Sequence, residues 1–360
     1  MASIGEKELK ALMKSGDIGG AFLFFGTESY LKEFYSSKLR DKAVSPDFAD
    51  FNYHFFDGAS CALEDIEQAV EAFPMMSGST CVFVKDMPVD SLDEDSYDKL
   101  ESIVGEVIGE AGKIVVGDVP DYCTLIFYVG KADSLKKTAK AKKAVALFTK
   151  CGNAVELNKK TAYELSKLLV GAAQKRGSEL SQRNAEYLVS CVGDDMVTLL
   201  NETDKLSAYA EGREITRADI DLMCVKTIEA NAFDLTKYII SDNFDKAYET
   251  LNMLFAQRAD VMMIMGAVIS VFADIYRVKV SVSAGYRATQ PAEIFSNYRG
   301  REFKLTKVSR QAAALSVRAL RQCLDELDRA DTLLKSSAVD NRIVMEELLV
   351  KLFVAIQSGK

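Results

Sequence analysis

At 360 residues the chain exceeds what one hydrophobic core usually organises, so two or three domains are expected. Apolar residues make up 48% and charged residues 27%, an ordinary globular composition, and a formal net charge of −8 argues against a protein that coats nucleic acid by bulk electrostatics. The single histidine, His54, sits in the alternating stretch Phe51 to Phe56 and reads as a strand-face residue, which removes most histidine-based metal and nucleophile chemistry.

Seven cysteines at widely spaced positions, with no Cys-x-x-Cys, support neither a disulfide framework nor a zinc ribbon and read as reduced core residues. No apolar run approaches the roughly 20 residues that span a bilayer, and the start Met1 to Lys10 lacks an apolar signal core. A cytoplasmic protein with no membrane partner is the expectation.

Strand-like apolar runs at 21–25, 52–56, 81–84, 114–116 and 125–129 alternate with helical patterns at 30–44 and 63–72. Such alternation predicts a mostly parallel sheet flanked by helices over the first 150 or so residues. The first run ends at Gly26 and leads directly into a helix, the outline of a phosphate-gripping loop. A working loop needs several glycines, a lysine for the phosphates and a Ser/Thr for magnesium. Here Gly26 is followed by Thr27 and Glu28, no Gly-Lys-Ser/Thr occurs anywhere, and Glu28 puts a carboxylate where a triphosphate would sit. An ordinary capped helix after a buried strand is the other reading of the segment.

Two charge blocks follow. From Asp86 to Glu110 nine carboxylates face one lysine, Lys99, at helical spacing. From Ser134 to Lys150 six lysines, Lys136 and Lys137 among them, meet no acid, which suits either a solvated surface or a basic helix near nucleic acid.

Beyond Leu157 the pattern is helical: an amphipathic helix ending at Gly177, a second over about 181–191, a third over about 196–209, and a short one capped by Thr216. From about Ile228 the apolar spacing predicts a helical bundle, in which the methionine-rich run Val261 to Met265 reads as core. Between Arg277 and Arg321 ten basic residues, including Arg299 and Arg301, outnumber Glu293 and Glu302, and this is the best candidate for a surface that meets phosphate.

An α/β domain followed by a helical lid and a helical bundle is the arrangement of AAA+ clamp-loader subunits. Phe24 to Glu33, with Gly26, Glu28, Tyr30 and Leu31, resembles the Gly-x-Glu-x-Tyr/Phe-Leu start of the delta subunit of bacterial DNA polymerase III, in which the nucleotide site has decayed. Phe73-Pro-Met-Met-Ser-Gly78 before the strand at 81–85 is similar to that family's Leu-Pro-x-Phe-Ser element, and 195–206 with Tyr209 and Ile215 to Asp219 resembles its central signature. Leu327 to Lys335 and Arg342 to Glu346 resemble its last helices. Met75 and Met76 depart from the usual leucine and phenylalanine, and the arginine expected near Ser79 or Thr80 is absent.

The resemblance implies three domains: an AAA+-like parallel-sheet domain over 1–157, a three-helix lid over 158–226 and a helical collar over 227–360. It implies a subunit that opens the sliding clamp (the beta subunit) for loading on primed DNA, through an apolar tip of Phe73, Pro74, Met75 and Met76. Its partners would be the ATPase subunits and a delta-prime-like subunit of the loader, with Lys136, Lys137, Arg299 and Arg301 as candidates for residues near DNA and the isolated chain monomeric. No catalysis, metal or cofactor is expected of the chain itself, a non-catalytic subunit of a nucleotidyltransferase complex. A cryptic NTPase would instead bind nucleotide measurably, and a stand-alone helical DNA-binding protein would bind DNA without partners and with steep salt dependence.

Overall fold

The computed structural model describes residues 3–16, 18–108, 114–116, 119–130, 135, 138–298, 302–336 and 339–358. The chain divides into two compact units, Met1–Lys160 and Thr161–Lys360.

The first unit runs α1 (Glu6–Ser15), β1 (Gly20–Phe25), α2 (Ser29–Ala43), α3 (Ala49–Asn52), β2 (Tyr53–Asp57), α4 (Leu63–Glu71), β3 (Thr80–Lys85), α5 (Glu94–Val104), β4 (Glu106–Ile108), β5 (Ile114–Val116), β6 (Cys123–Tyr128), α6 (Ala139–Cys151) and β7 (Asn153–Glu156). Five strands form one sheet in the order β2-β3-β6-β1-β7, and every pairing in it is parallel. Gly20-Ala-Phe-Leu-Phe-Phe25 has no polar side chain because β1 is flanked by β6 and β7 and buried on both faces. Alternate residues face opposite ways. Ala21, Leu23 and Phe25 join a core with Ile66, Leu100 and Phe148 from α4, α5 and α6, whereas α2 packs on β1, β3 and β6.

Two sequence expectations need correction here. Ile114–Val116 is outside the parallel sheet; it pairs antiparallel with Glu106–Ile108, because three β-branched residues give a strand's propensity without fixing its partner. The fifth sheet strand is instead Asn153–Glu156, whose two apolar residues carry no legible period; β1 holds one side of it, and Ile4 donates to the Ala154 carbonyl (2.8 Å) and accepts from the Glu156 N–H (2.9 Å) on the other. Within the acidic stretch, α5 buries Tyr97, Leu100, Ile103 and Val104.

The second unit is helical: α7 (Ala162–Lys175), α8 (Gln182–Val192), α9 (Met196–Ala210), α10 (Arg217–Met223), α11 (Ile228–Ile240), α12 (Phe244–Ala256), α13 (Val261–Ser283), α14 (Pro291–Ile294), α15 (Phe303–Ala314), α16 (Val317–Ser336) and α17 (Asn341–Ser358). Starts are set by caps: Thr161 with Glu164, and Thr216 with Asp219, close reciprocal capping boxes. Helices α11 to α17 share one core that includes Leu235, Met265, Phe272, Leu320 and Leu352.

The 23-residue helix α13 is long and apolar enough by length and composition to cross a bilayer, contrary to the sequence expectation. Its apolarity has a local reason, since Ile264, Met265, Val268, Phe272, Ile275 and Val278 lie in the bundle core. The methionine stripe is core only at Met265; Met262 and Met263 are exposed, because the helix turns them away at its first turn.

Candidate functional site

In an open parallel sheet, ligands bind beyond the carboxyl ends of the strands, where the connections diverge to opposite sides. Here that place lies between β1 and β6: β1 leads by α2 and α3 to β2 at one edge, and β6 leads by α6 to β7 at the other. The loop Gly26 to Glu28 follows β1 at this point.

Its polar groups are bound within the protein. The Glu28 N–H donates to the Leu157 carbonyl (3.0 Å), and the Thr27 N–H and hydroxyl donate to Asn158 Oδ1 (3.2 and 3.3 Å). The Lys159 N–H donates back to Thr27 Oγ1 (3.0 Å), and the buried Glu28 carboxylate accepts from the Tyr30 N–H at the start of α2 (3.2 Å). Gly26 sits at φ +115° with an added Cβ placed 2.2 Å from the Leu157 oxygen, so a side chain there meets both backbone strain and a wall.

One turn into α2, Lys32 is 0% exposed and donates to the Val129 (2.7 Å) and Gly130 (3.1 Å) carbonyls just past β6. Burial pushes its ammonium pKa down, opposed by the charges of Asp86 and Glu28. Asp86 accepts from the Gly130 N–H (2.6 Å) and fills the space a Gly130 side chain would need. The sequence motif contained Lys32, yet its burial against two carbonyls has no signature in sequence.

At the opposite, amino-terminal edge of the sheet the connection from α4 to β3 is built differently. Helix α4 buries Leu63, Ile66, Ala69 and Val70 and ends at Glu71, where Ala72 turns to extended backbone one residue ahead of Phe73-Pro74. The tip then leaves Phe73 81%, Met75 56% and Met76 79% exposed, with Pro74 partly buried between them. Phe73 lies 5.7 Å from the Tyr122 ring, the phenol of which donates to the Glu71 carbonyl (3.2 Å). Ser77 donates to the Ser79 carbonyl (2.9 Å), and Ser79 donates to the Ala43 carbonyl at the end of α2 (2.5 Å).

Asn52, 0% exposed at the end of α3, grips the backbone of Met75: its Oδ1 accepts from the Met75 N–H (2.7 Å), and its Nδ2 donates to the Met75 (2.8 Å) and Phe48 (3.0 Å) carbonyls. Nothing near position 52 in the sequence points to this contact, which spans 23 residues. Met76 follows in the left-handed region at φ +57°. A methionine pair ahead of a buried strand is ordinarily core; this one faces solvent.

Lys136, Lys137, Arg299 and Arg301 lie outside the described residues. Several of their basic neighbours are tied into the fold. Lys140 donates to the Leu92 carbonyl (2.7 Å), and Lys143 sits 3.7 Å above the Tyr97 ring. Arg277 stacks on Phe295 and donates to the Tyr298 hydroxyl (2.6 Å), which donates to the buried Asp274. Lys307 lies 4.1 Å above the Phe233 ring. Among the described residues no cluster of His, Cys, Asp and Glu could hold a metal ion.

These features define a protein in which an α/β unit with an all-parallel five-stranded sheet precedes an all-α unit. A family model described as DNA polymerase III, delta subunit, matches residues 22–156, and one described as the C-terminal domain of the same subunit matches residues 229–352. The chain belongs to the DNA polymerase III delta subunit family. It is 26% identical over 343 residues to DNA polymerase III subunit delta of Bacillus subtilis, covering 94% of each chain. It is 22% identical over 290 residues to a probable delta subunit of Aquifex aeolicus, covering 79% of this chain and 78% of that one. In fold it is similar to a solved structure titled Bacillus subtilis DNA clamp loader delta protein, with a TM-score of 0.62, 22% identity, and coverage of 97% of this chain and 99% of that one.

Proposed function

We propose that this chain is the ring-opening subunit of a clamp loader, that it holds the sliding clamp by Phe73, Pro74, Met75 and Met76, and that it does so without binding ATP. The observation that carries the reading is the tip itself, where three large apolar side chains project from a backbone fixed by hydrogen bonds. Full burial of each in a partner's pocket contributes about 1.5–3 kcal/mol, so three form an anchor of the kind that dominates an interface. Methionines adapt to an irregular apolar pocket, and an aromatic in the same place buries more area, which sets the affinity below that of a leucine-phenylalanine tip. Opening requires the tip to fit the opened ring better than the closed one, because a ligand shifts a conformational equilibrium only by its differential affinity.

The loop at Gly26 to Glu28 supports the second part of the reading. Its Thr27, Glu28 and Tyr30 N–H groups have protein acceptors, and Lys32 is turned to two carbonyls instead of to a phosphate. ATP then acts on neighbouring subunits of a cytoplasmic replication complex, which includes a delta-prime-like subunit and meets primed DNA. In this reading 1–157 is the clamp-contacting domain, 158–226 the lid and 227–360 the collar that assembles with other subunits, and the lysines at 136–143 and the Arg277 to Arg321 stretch lie toward the DNA.

A pull-down of the full chain with the sliding clamp at low salt tests the proposal. The unsubstituted chain retains the clamp and Met75→Ala/Met76→Ala does not; equal retention by the two removes the tip from the mechanism. Equilibrium dialysis with labelled ATP checks the other half, and saturable binding by the isolated chain overturns it in favour of an NTPase.

A further inference from the structure

Resting on the reading of Phe73 to Met76 as the clamp-holding tip, we infer that Asn52 is its positioning residue, the group that fixes the tip in its binding shape before the partner arrives. Three observations converge. The Asn52 side chain is wholly buried, and its amide makes three hydrogen bonds, two of them to the backbone of a single residue, Met75. The next residue, Met76, holds a left-handed backbone that side chains larger than glycine seldom adopt, so the conformation is not a local default and persists only while something else determines it. The side chains on either side of the grip, Phe73 and Met76, are the most exposed of the tip, so apart from the Tyr122 ring beside Phe73 little packing sets their direction.

The contact ties the tip to α3 and, through the Phe48 carbonyl, to the turn before it. An apolar anchor gains affinity when its shape is set in advance, because ordering it on binding consumes part of the interaction energy. Asn52 touches no partner in this scheme; it acts through Met75 and Met76.

Hydrogen exchange of the free, full-length chain is read first: the Met75 amide is protected although its side chain is exposed, and exchange as fast as an open loop overturns the inference without reference to the clamp. The sliding clamp is then titrated against the unsubstituted chain, Asn52→Ala, Asn52→Asp, Met75→Ala/Met76→Ala, and the Asn52→Ala triple combination. Asn52→Asp keeps the acceptor for the Met75 N–H and turns the donor into a carboxylate facing two carbonyls. Both Asn52 variants are expected to weaken binding about tenfold, chiefly by faster dissociation, with the Met75 amide exposed and the amides of β1, β3 and β6 unchanged.

The double-mutant comparison separates positioning from a merely structural role. Once Met75 and Met76 are alanines, removing Asn52 costs little further affinity, because the two side chains on the backbone it holds are no longer there to present. Equal losses with and without the methionines, or unchanged affinity in folded Asn52→Ala and Asn52→Asp, overturn the inference. If Met75→Ala/Met76→Ala binds as tightly as the unsubstituted chain, it is the clamp-holding reading itself that falls. Should Asn52→Ala not fold, Asn52→Asp and the exchange of the unsubstituted chain decide the question.

Discussion

The loop at Gly26 to Glu28 and the tip at Phe73 to Met76 occupy opposite edges of one parallel sheet, and they handle their functional groups in opposite ways. At the carboxyl edge, polar groups that could meet a ligand are bound to Leu157, Asn158, Val129 and Gly130. At the amino edge the polar backbone is bound, by Asn52, but the apolar side chains are left to solvent. A buried donor with an internal acceptor has little left to offer a ligand, whereas an exposed apolar cluster on a fixed backbone gains by finding a partner. On the proposed reading, the carboxyl edge of the sheet gives shape and recognition is placed at the amino edge, where the surface is unsatisfied.

Substitutions at the two edges should separate stability from binding. The largest expected effect is at Gly26, where alanine adds a Cβ 2.2 Å from the Leu157 oxygen in a backbone at φ +115°. Gly26→Ala is expected to lower the unfolding free energy by about 3 kcal/mol in a urea titration. At the tip, Phe73→Ala is expected to weaken clamp binding by about 2 kcal/mol while the urea midpoint moves little, since the ring is mostly exposed and loses only its contact with Tyr122.

A pH series sharpens the contrast on the closed side. Glu6, on α1, accepts from Lys10 (2.6 Å), Lys160 (2.5 Å) and the Tyr35 hydroxyl (2.8 Å). Burial alone would raise its pKa, but those hydrogen bonds outweigh burial and hold it at about 2, below the ordinary 4.5. Because the folded value is depressed, the stabilisation is fully present above pH 4.5 and is lost as the pH falls toward 2. Glu6→Gln is therefore expected to cost about 2 kcal/mol at pH 7, after allowance for solvent screening, and the gap from the unsubstituted chain should close in urea titrations below pH 4.5. The smallest effect is expected at Thr27→Val, which removes the hydroxyl that accepts from the Lys159 N–H and donates to Asn158 Oδ1, both exposed contacts, and should cost about 1 kcal/mol, with clamp binding unchanged.

How much of this was legible in the sequence depended on how local the cause was. The Thr216 cap and the apolar face of α4 are local patterns, and they place their elements within a residue or two. Strand partners are not local: Ile114–Val116 has the composition of a sheet strand and pairs elsewhere, while Asn153–Glu156 enters the sheet with two apolar residues. The missing lysine and glycines after Gly26 were visible, but not that Leu157 and Asn158 would close over the loop from the far end of the unit. The Phe73 to Met76 segment could be singled out by resemblance, while its exposure depends on how α4 ends and its rigidity on Asn52, residues that sequence spacing does not connect.

The most direct test of this contrast is hydrogen exchange of the full chain measured with and without the sliding clamp. Added protection is expected to centre on residues 72–79 and to leave 26–32 unchanged whether or not ATP is present. Protection that appears at 26–32 with ATP, or a clamp footprint that leaves 72–79 unchanged, would contradict it.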